Sequence, residues 1–157
     1  PERGLVLDQL RGALMAAKVC AYAQGFALMR SADREQQWQL PMAQVAQVWR
    51  AGCIIRAHLL EDIRRAYSHQ AELPNLLVDP HFVRVMADNQ QDLREVVSQA
   101  ALHGVPMPAF MSALSYYDAY RSERLPANLL QAQRDFFGAH TYQRTDRAGK
   151  FHTRWSD

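Results

Sequence analysis

The sequence predicts an all-α protein, about six helices joined by short connections and followed by an irregular C-terminal tail. Three observations carry this expectation. Apolar residues recur at three- and four-residue spacing through most of the chain. Proline and glycine fall between those stretches, where helices start and stop. No convincing strand pattern interrupts them.

The first helix is expected from Val6 to about Ser31, a stretch without proline in which Leu10, Leu14, Ala17, Cys20, Ala21, Phe26 and Met29 follow helical spacing. Ala13, Ala16, Ala17, Ala21, Ala23 and Gly25 would let another helix approach closely. The helix therefore reads as buried on more than one side, facing a partner chain as well as its own core. Pro41 fits the first turn of a second helix reaching Arg50. Gly52 breaks the pattern, and a third helix over Ile54 to Tyr67 lines Ile55, Leu59, Leu60 and Ile63 along one face. Pro74 and Pro80 bracket a connector holding Leu76 and Leu77.

The fourth helix, about Phe82 to Leu102, has a polar centre of Asp88, Gln90, Gln91, Asp92 and Arg94, either exposed or in a polar cleft. His103-Gly104-Val105-Pro106 is a helix stop, and Pro108 opens the fifth helix, Ala109 to Tyr120. Pro126 starts the sixth, which ends near Phe137 with Gly138 as its cap. Residues 1–137 thus form the helical part and 138–157 the tail. The tail is polar, yet Tyr142, Phe151 and Trp155 are more aromatics than a disordered segment carries. It is expected to lie across a surface, its own or a neighbour's.

A chain of 157 residues, 48% hydrophobic and 22% charged, can bury a substantial core. Its 18 basic and 16 acidic side chains leave a net charge of +2. Arginines are spread among carboxylates with no basic block, which argues against nucleic acid. There is no signal peptide and no apolar run near membrane-spanning length, so a soluble, cytoplasmic protein is expected. Cys20 and Cys53 sit in apolar helical stretches and read as reduced core residues. The chain opens on Pro1 and is soon in an amphipathic pattern, which suits an excised fragment.

Signals of catalysis are thin. There is no glycine-rich phosphate loop, no HExxH, no GxSxG and no metal cluster. His58, His69, His81 and His103 stand far apart and read as satisfied or solvent-facing. Arg50 and Arg56 flank Gly52 in an apolar stretch and are best explained by a structural ion pair. Residues Ser115 to Arg121 read as aromatic packing with hydroxyls that need partners. The densest polar site runs from Gln131 to His140. Arg134 in the last turn of a helix and His140 past the glycine stop could together hold a phosphate. The competing explanation pairs Arg134 with Asp135 or a carboxylate of the preceding helix.

Several segments resemble one family. They are Tyr22 to Phe26, Trp49 to Arg56, Gly104 to Pro108, Ala113 to Asp118, Leu125 to Tyr142 and Phe151 to Trp155. In order and spacing across nearly the whole chain they resemble the decarboxylating 6-phosphogluconate dehydrogenases, and Gln131 to Tyr142 is the most specific. The resemblance implies the C-terminal portion of a homodimeric oxidoreductase. That enzyme converts 6-phosphogluconate to ribulose 5-phosphate and CO₂ with NADP, and its tail reaches the partner subunit. Arg134 and His140 match the family's phosphate-binding arginine and histidine, so they are implied substrate-binding residues.

The family's general-base lysine, general-acid glutamate, serine-glycine-glycine loop and glycine-rich NADP fingerprint have no counterpart here. Neither do its lysine-threonine pair and its further phosphate-binding arginine. No catalytic, cofactor-binding or metal residue is therefore assigned, and Lys18, though matched by a family lysine, is not the base. The isolated chain is expected to be inactive, NADP being bound mainly by an N-terminal domain. Ala51 and Ala119 stand where the family has glycine, and the chain ends at Asp157 where many members continue. The alternative is a stand-alone helical module for dimerisation or anion binding.

Overall fold

The computed structural model describes residues 3–49 and 58–155. Arg50, Cys53, Arg56 and the expected start of the third helix at Ile54 lie outside the described residues. The chain divides into two compact units, Pro1–Tyr120 and Arg121–Asp157.

The first unit is built on α1, Arg3–Gln36, a helix of 34 residues and about 50 Å long at 1.5 Å per residue. Its contact face is made of small side chains: Ala13, Ala16, Val19, Cys20 and Ala23 are fully buried, with Phe26 closing the row. Small residues bring a neighbouring backbone close. A β-carbon added at Gly12 would stand 1.9 Å from the Asp92 carboxylate. One face alone is buried within this unit, since Leu5, Leu7, Leu10, Leu14 and Leu28 stay exposed. By length and composition α1 could cross a membrane, which the sequence reading did not anticipate. Nearly half of its apolar window is buried inside the protein, as in a core helix.

α1 ends in a turn without glycine, with Gln37 at φ 55° and Gln39 at φ 60°. The Asp33 carboxylate accepts from the Leu40 N–H at 2.8 Å and ties that turn back. α2, Met42–Val48, follows with Pro41 at its N-cap and packs on α3, Leu59–His69. Aromatic rings join this pair to α1: Phe26 stacks on Tyr67 at 5.2 Å and meets Trp49 edge-on at 6.1 Å. Burial pushes the Tyr67 hydroxyl up to about 12. Arg30 is also buried, donating to the Ala71 carbonyl at 2.9 Å and pairing with Glu72.

A 3-10 turn over Leu76–Val78 leads into α4, Pro80–Leu102. Asp79 caps α4 by accepting from the N–H groups of His81 and Phe82 at 2.9 and 3.2 Å, and Pro80 takes the first turn. The expected stop at Gly104 is a Schellman turn. Gly104 takes φ 68°, the Val105 N–H donates to Ala100 O at 2.8 Å and the Gly104 N–H to Ala101 O at 3.3 Å.

α5, Pro108–Tyr120, packs against α1 and α4. The polar centre of α4 is resolved as a cross-helix contact: Arg94 grips Asp118 of α5 with two nitrogens. The buried Asn75 donates to the Tyr116 hydroxyl at 2.6 Å, the partner that the aromatic cluster required. Cys20 is a free, buried thiol as expected, pushed up to about 11 by burial and secondarily by the Asp118 charge. Burial thus favours its protonated, unreactive form.

The second unit holds α6, Asn128–Gly138, then a minimal hairpin of β1, Tyr142–Gln143, and β2, Lys150–Phe151. These pair antiparallel, Tyr142 opposite Phe151. The left-handed cap belongs to Ala139 at φ 50°, not to Gly138, which is the last helical residue. Among the described residues the protein is all-α, with six helices and this short hairpin tail.

Phe26 is fully buried between Tyr67 and Trp49, so Phe26→Ala should cost about 3–5 kcal/mol in urea denaturation. Leu28→Ala, on the exposed face of the same helix, should change stability by no more than about 0.5 kcal/mol.

Candidate functional site

The second unit is organised by one carboxylate. Asp135 is fully buried. Its Oδ1 accepts from the Thr141 N–H at 3.0 Å and from His152 Nδ1 at 2.9 Å. Its Oδ2 accepts from the Thr153 N–H at 2.9 Å and from Trp155 Nε1 at 3.0 Å. Four donors from the tail thus converge on α6. Burial by itself would raise this carboxyl's pKa, but the Thr153 N–H, His152 and the Trp155 indole outweigh it and hold the group at about 2.

Around that anchor the hairpin is tied by further bonds. Gln131 Nε2 donates to Thr141 O at 2.6 Å, and the hydroxyls of Tyr142 and Thr153 bond each other at 2.8 Å. Arg147 lies over the Phe151 ring at 4.5 Å. Trp155 meets Phe136 edge-on at 6.0 Å. A groove of about 670 Å³ runs beside the hairpin, lined in part by Asn128, Gln131, Tyr142, Arg144 and Trp155.

Both sequence-predicted binding residues are exposed in this unit. The His140 ring folds back over the end of α6, with Nε2 2.8 Å from where a β-carbon on Gly138 would stand. A side chain at this position would displace the imidazole, whereas the backbone there is helical and not left-handed. Arg134 lies four residues before Gly138, hence on the same face of α6. The helix turn thus puts the Arg134 and Gly138 positions on one face of α6, with the His140 imidazole over the latter.

The competing pairing of Arg134 with Asp135 is not formed. Asp135 is occupied by the tail, and none of the ion pairs among the described residues includes Arg134. The Asp135 anchor was missed by sequence reasoning. The available signal was one carboxylate preceding an aromatic, donor-rich tail. His58, His69, His81 and His103 are exposed, the Nε2 of His81 standing 3.6 Å from Asp62. Among the described residues no group of His, Cys, Asp and Glu could hold a metal ion.

These features define an all-helical domain whose last helix carries a tail clamped to a buried aspartate. The family model described as 6-phosphogluconate dehydrogenase, C-terminal domain, matches residues 2–155. The chain belongs to the 6-phosphogluconate dehydrogenase family, through its C-terminal domain. It is 55% identical over 150 residues to the decarboxylating 6-phosphogluconate dehydrogenase of Lactococcus lactis subsp. lactis, covering 96% of this chain and 32% of that protein. With the Staphylococcus epidermidis enzyme of the same description the identity is 53% over 149 residues, again 32% of that protein. The solved structure of Plasmodium falciparum 6-phosphogluconate dehydrogenase, described as apo and in complex with NADP+ and with 6-phosphogluconate, superposes with a TM-score of 0.91 at 39% identity. It covers 99% of this chain and 33% of that one. The chain spans about a third of the length of these relatives.

The depressed Asp135 pKa makes the tail acid-sensitive. The folded-state value lies below the ordinary 3.8, so the stabilisation is complete above that range and is lost as pH falls from about 5 toward 2. The Trp155 indole N–H resonance should lose its hydrogen-bonded shift across that window. Asp135→Asn should abolish the transition, with the indole already released at neutral pH.

Proposed function

We propose that this chain is the C-terminal third of an NADP-dependent 6-phosphogluconate dehydrogenase, working as a cytoplasmic homodimer, and that Arg134 and His140 hold the phosphate of 6-phosphogluconate. The observation that carries the site is the juxtaposition at the end of α6: His140 lies over Gly138, Arg134 shares that face, and Asp135 is turned to the tail. Arg134 offers a planar fork for two phosphate oxygens and His140 a third donor. Held at the phosphate, the sugar acid is oriented at its far end while bonds change elsewhere. The contribution of this chain is positioning, not proton transfer.

NADP supplies hydride acceptance in the intact enzyme. The described residues contain no glycine-rich strand-to-helix turn that fits a pyrophosphate, so no cofactor contact is assigned to this chain. Oxidation and loss of CO₂ belong to groups in the other two thirds of the enzyme. Residues 1–137 are then the C-terminal part of the family's helical domain, and 138–157 a tail that packs on the partner subunit. The exposed apolar side chains of the second unit support a partner, Leu129 and Phe137 being 82% and 73% exposed.

In the full-length enzyme, Arg134→Ala should raise KM for 6-phosphogluconate by about 10- to 100-fold, and His140→Ala should raise it to a smaller extent. KM for NADP should stay within about twofold in both, because the cofactor does not touch these groups. Equal losses for both ligands in steady-state assays would show that Arg134 supports the fold instead. The chain alone should give no NADP reduction with 6-phosphogluconate, and turnover by a clean preparation would refute the division of labour.

A further inference from the structure

His140 sits between two residues in a conformation that side chains disfavour. Ala139 has φ 50° and Thr141 φ 62°, and neither is glycine. Consecutive turns of this kind persist only where surrounding contacts over-determine them. Here those contacts are few and identifiable. The Thr141 N–H donates to Asp135 Oδ1 at 3.0 Å, and the Thr141 carbonyl accepts from Gln131 at 2.6 Å. The Ala139 N–H donates to Asp135 O at 2.9 Å. Both ends of the three-residue turn are therefore fixed to Gln131 and Asp135 on α6, and the imidazole between them lies over Gly138.

We propose that Asp135 is a positioning residue for the substrate phosphate: it holds the turn over residues 139–141 so that the His140 imidazole lies over Gly138 on the Arg134 side of the helix. The inference rests on the reading of Arg134 and His140 as the phosphate site. In this role Asp135 acts through the turn and not on the phosphate itself. Its role is carried by the Thr141 N–H, while His152, Thr153 and Trp155 secure the remainder of the tail on the same carboxylate. Gly138 completes the device, because any side chain there would meet the ring.

The test compares Asp135→Asn, Gly138→Ala and Arg134→Ala in the full-length enzyme, measuring KM for 6-phosphogluconate, KM for NADP and kcat. Asp135→Asn keeps the shape but puts an amide donor where four donors converge. Gly138→Ala leaves Asp135 intact and fits a helical backbone, yet displaces the ring. Both should raise KM for 6-phosphogluconate by about tenfold while KM for NADP stays within about twofold. A general loss of fold would move both constants together, and that result overturns the proposal. A raised KM in Arg134→Ala with normal values in the other two overturns the positioning role alone. An unchanged KM in Arg134→Ala overturns the phosphate reading and this inference with it. If Asp135→Asn does not fold, Gly138→Ala decides: a normal KM for 6-phosphogluconate overturns the proposal.

Discussion

The C-terminal unit depends on the burial of the Asp135 carboxylate. A charged group removed from water costs several kcal/mol unless its lone pairs are used, and here each oxygen accepts two hydrogen bonds. The donors come from residues 141, 152, 153 and 155, so satisfying one side chain wraps the whole tail around α6. Little else could do so. The hairpin has two residues in each strand, far too few to be stable by itself, and Phe136 and Phe137 remain exposed. Where apolar burial is slight, a charge that must be hydrogen-bonded becomes the organising contact.

The first unit solves a different problem. Along much of its central helix the packing runs through alanine, so close backbone approach contributes there beside the bulky side chains of the core. Asp92 lies against Gly12, and the large rings of Phe26, Tyr67 and Trp49 gather at one end. This was legible in sequence as a row of small residues at helical spacing. The leucines at 5, 7, 10, 14 and 28 carry the same period but stay exposed. Periodicity records that a face is apolar, while which apolar face meets α4 depends on how closely the backbones can come.

Helix boundaries followed where the chemistry is local. Gly104 ends α4 as expected, because a left-handed turn is decided by a few adjacent residues, while Asp79 and Pro80, expected in the connector, start that helix two residues before Phe82. The cap at the end of α6 escaped for the opposite reason. Ala139 accepts a left-handed conformation that its own side chain disfavours, held by contacts with other residues of α6. Gly138, whose type suggested the cap, instead leaves room for the His140 ring. The proposed pair, Arg134 and His140, was singled out by its spacing past a helix end. The role of Asp135 was not, because its partners lie up to twenty residues downstream. Neighbours in sequence on a helix point about 100° apart, which is why Arg134 and Asp135 serve different surroundings.

That divergence bears on how an anion could be held at this end of a helix. The C-terminus of α6 carries the negative end of the helix dipole, which disfavours a phosphate by about 0.3–1 kcal/mol. A charge-assisted hydrogen bond contributes about 1.5–3 kcal/mol, so one well-placed arginine contact outweighs the dipole, provided that no carboxylate competes for the guanidinium. Asp135 is the nearest competitor in sequence, and it is buried and fully engaged by the tail. Docking the tail therefore does two things in the proposed site: it keeps the neighbouring carboxylate engaged away from Arg134, and it fixes the turn that carries His140. In the proposed phosphate site, the carboxylate beside the arginine is thus made compatible with anion binding by being sequestered.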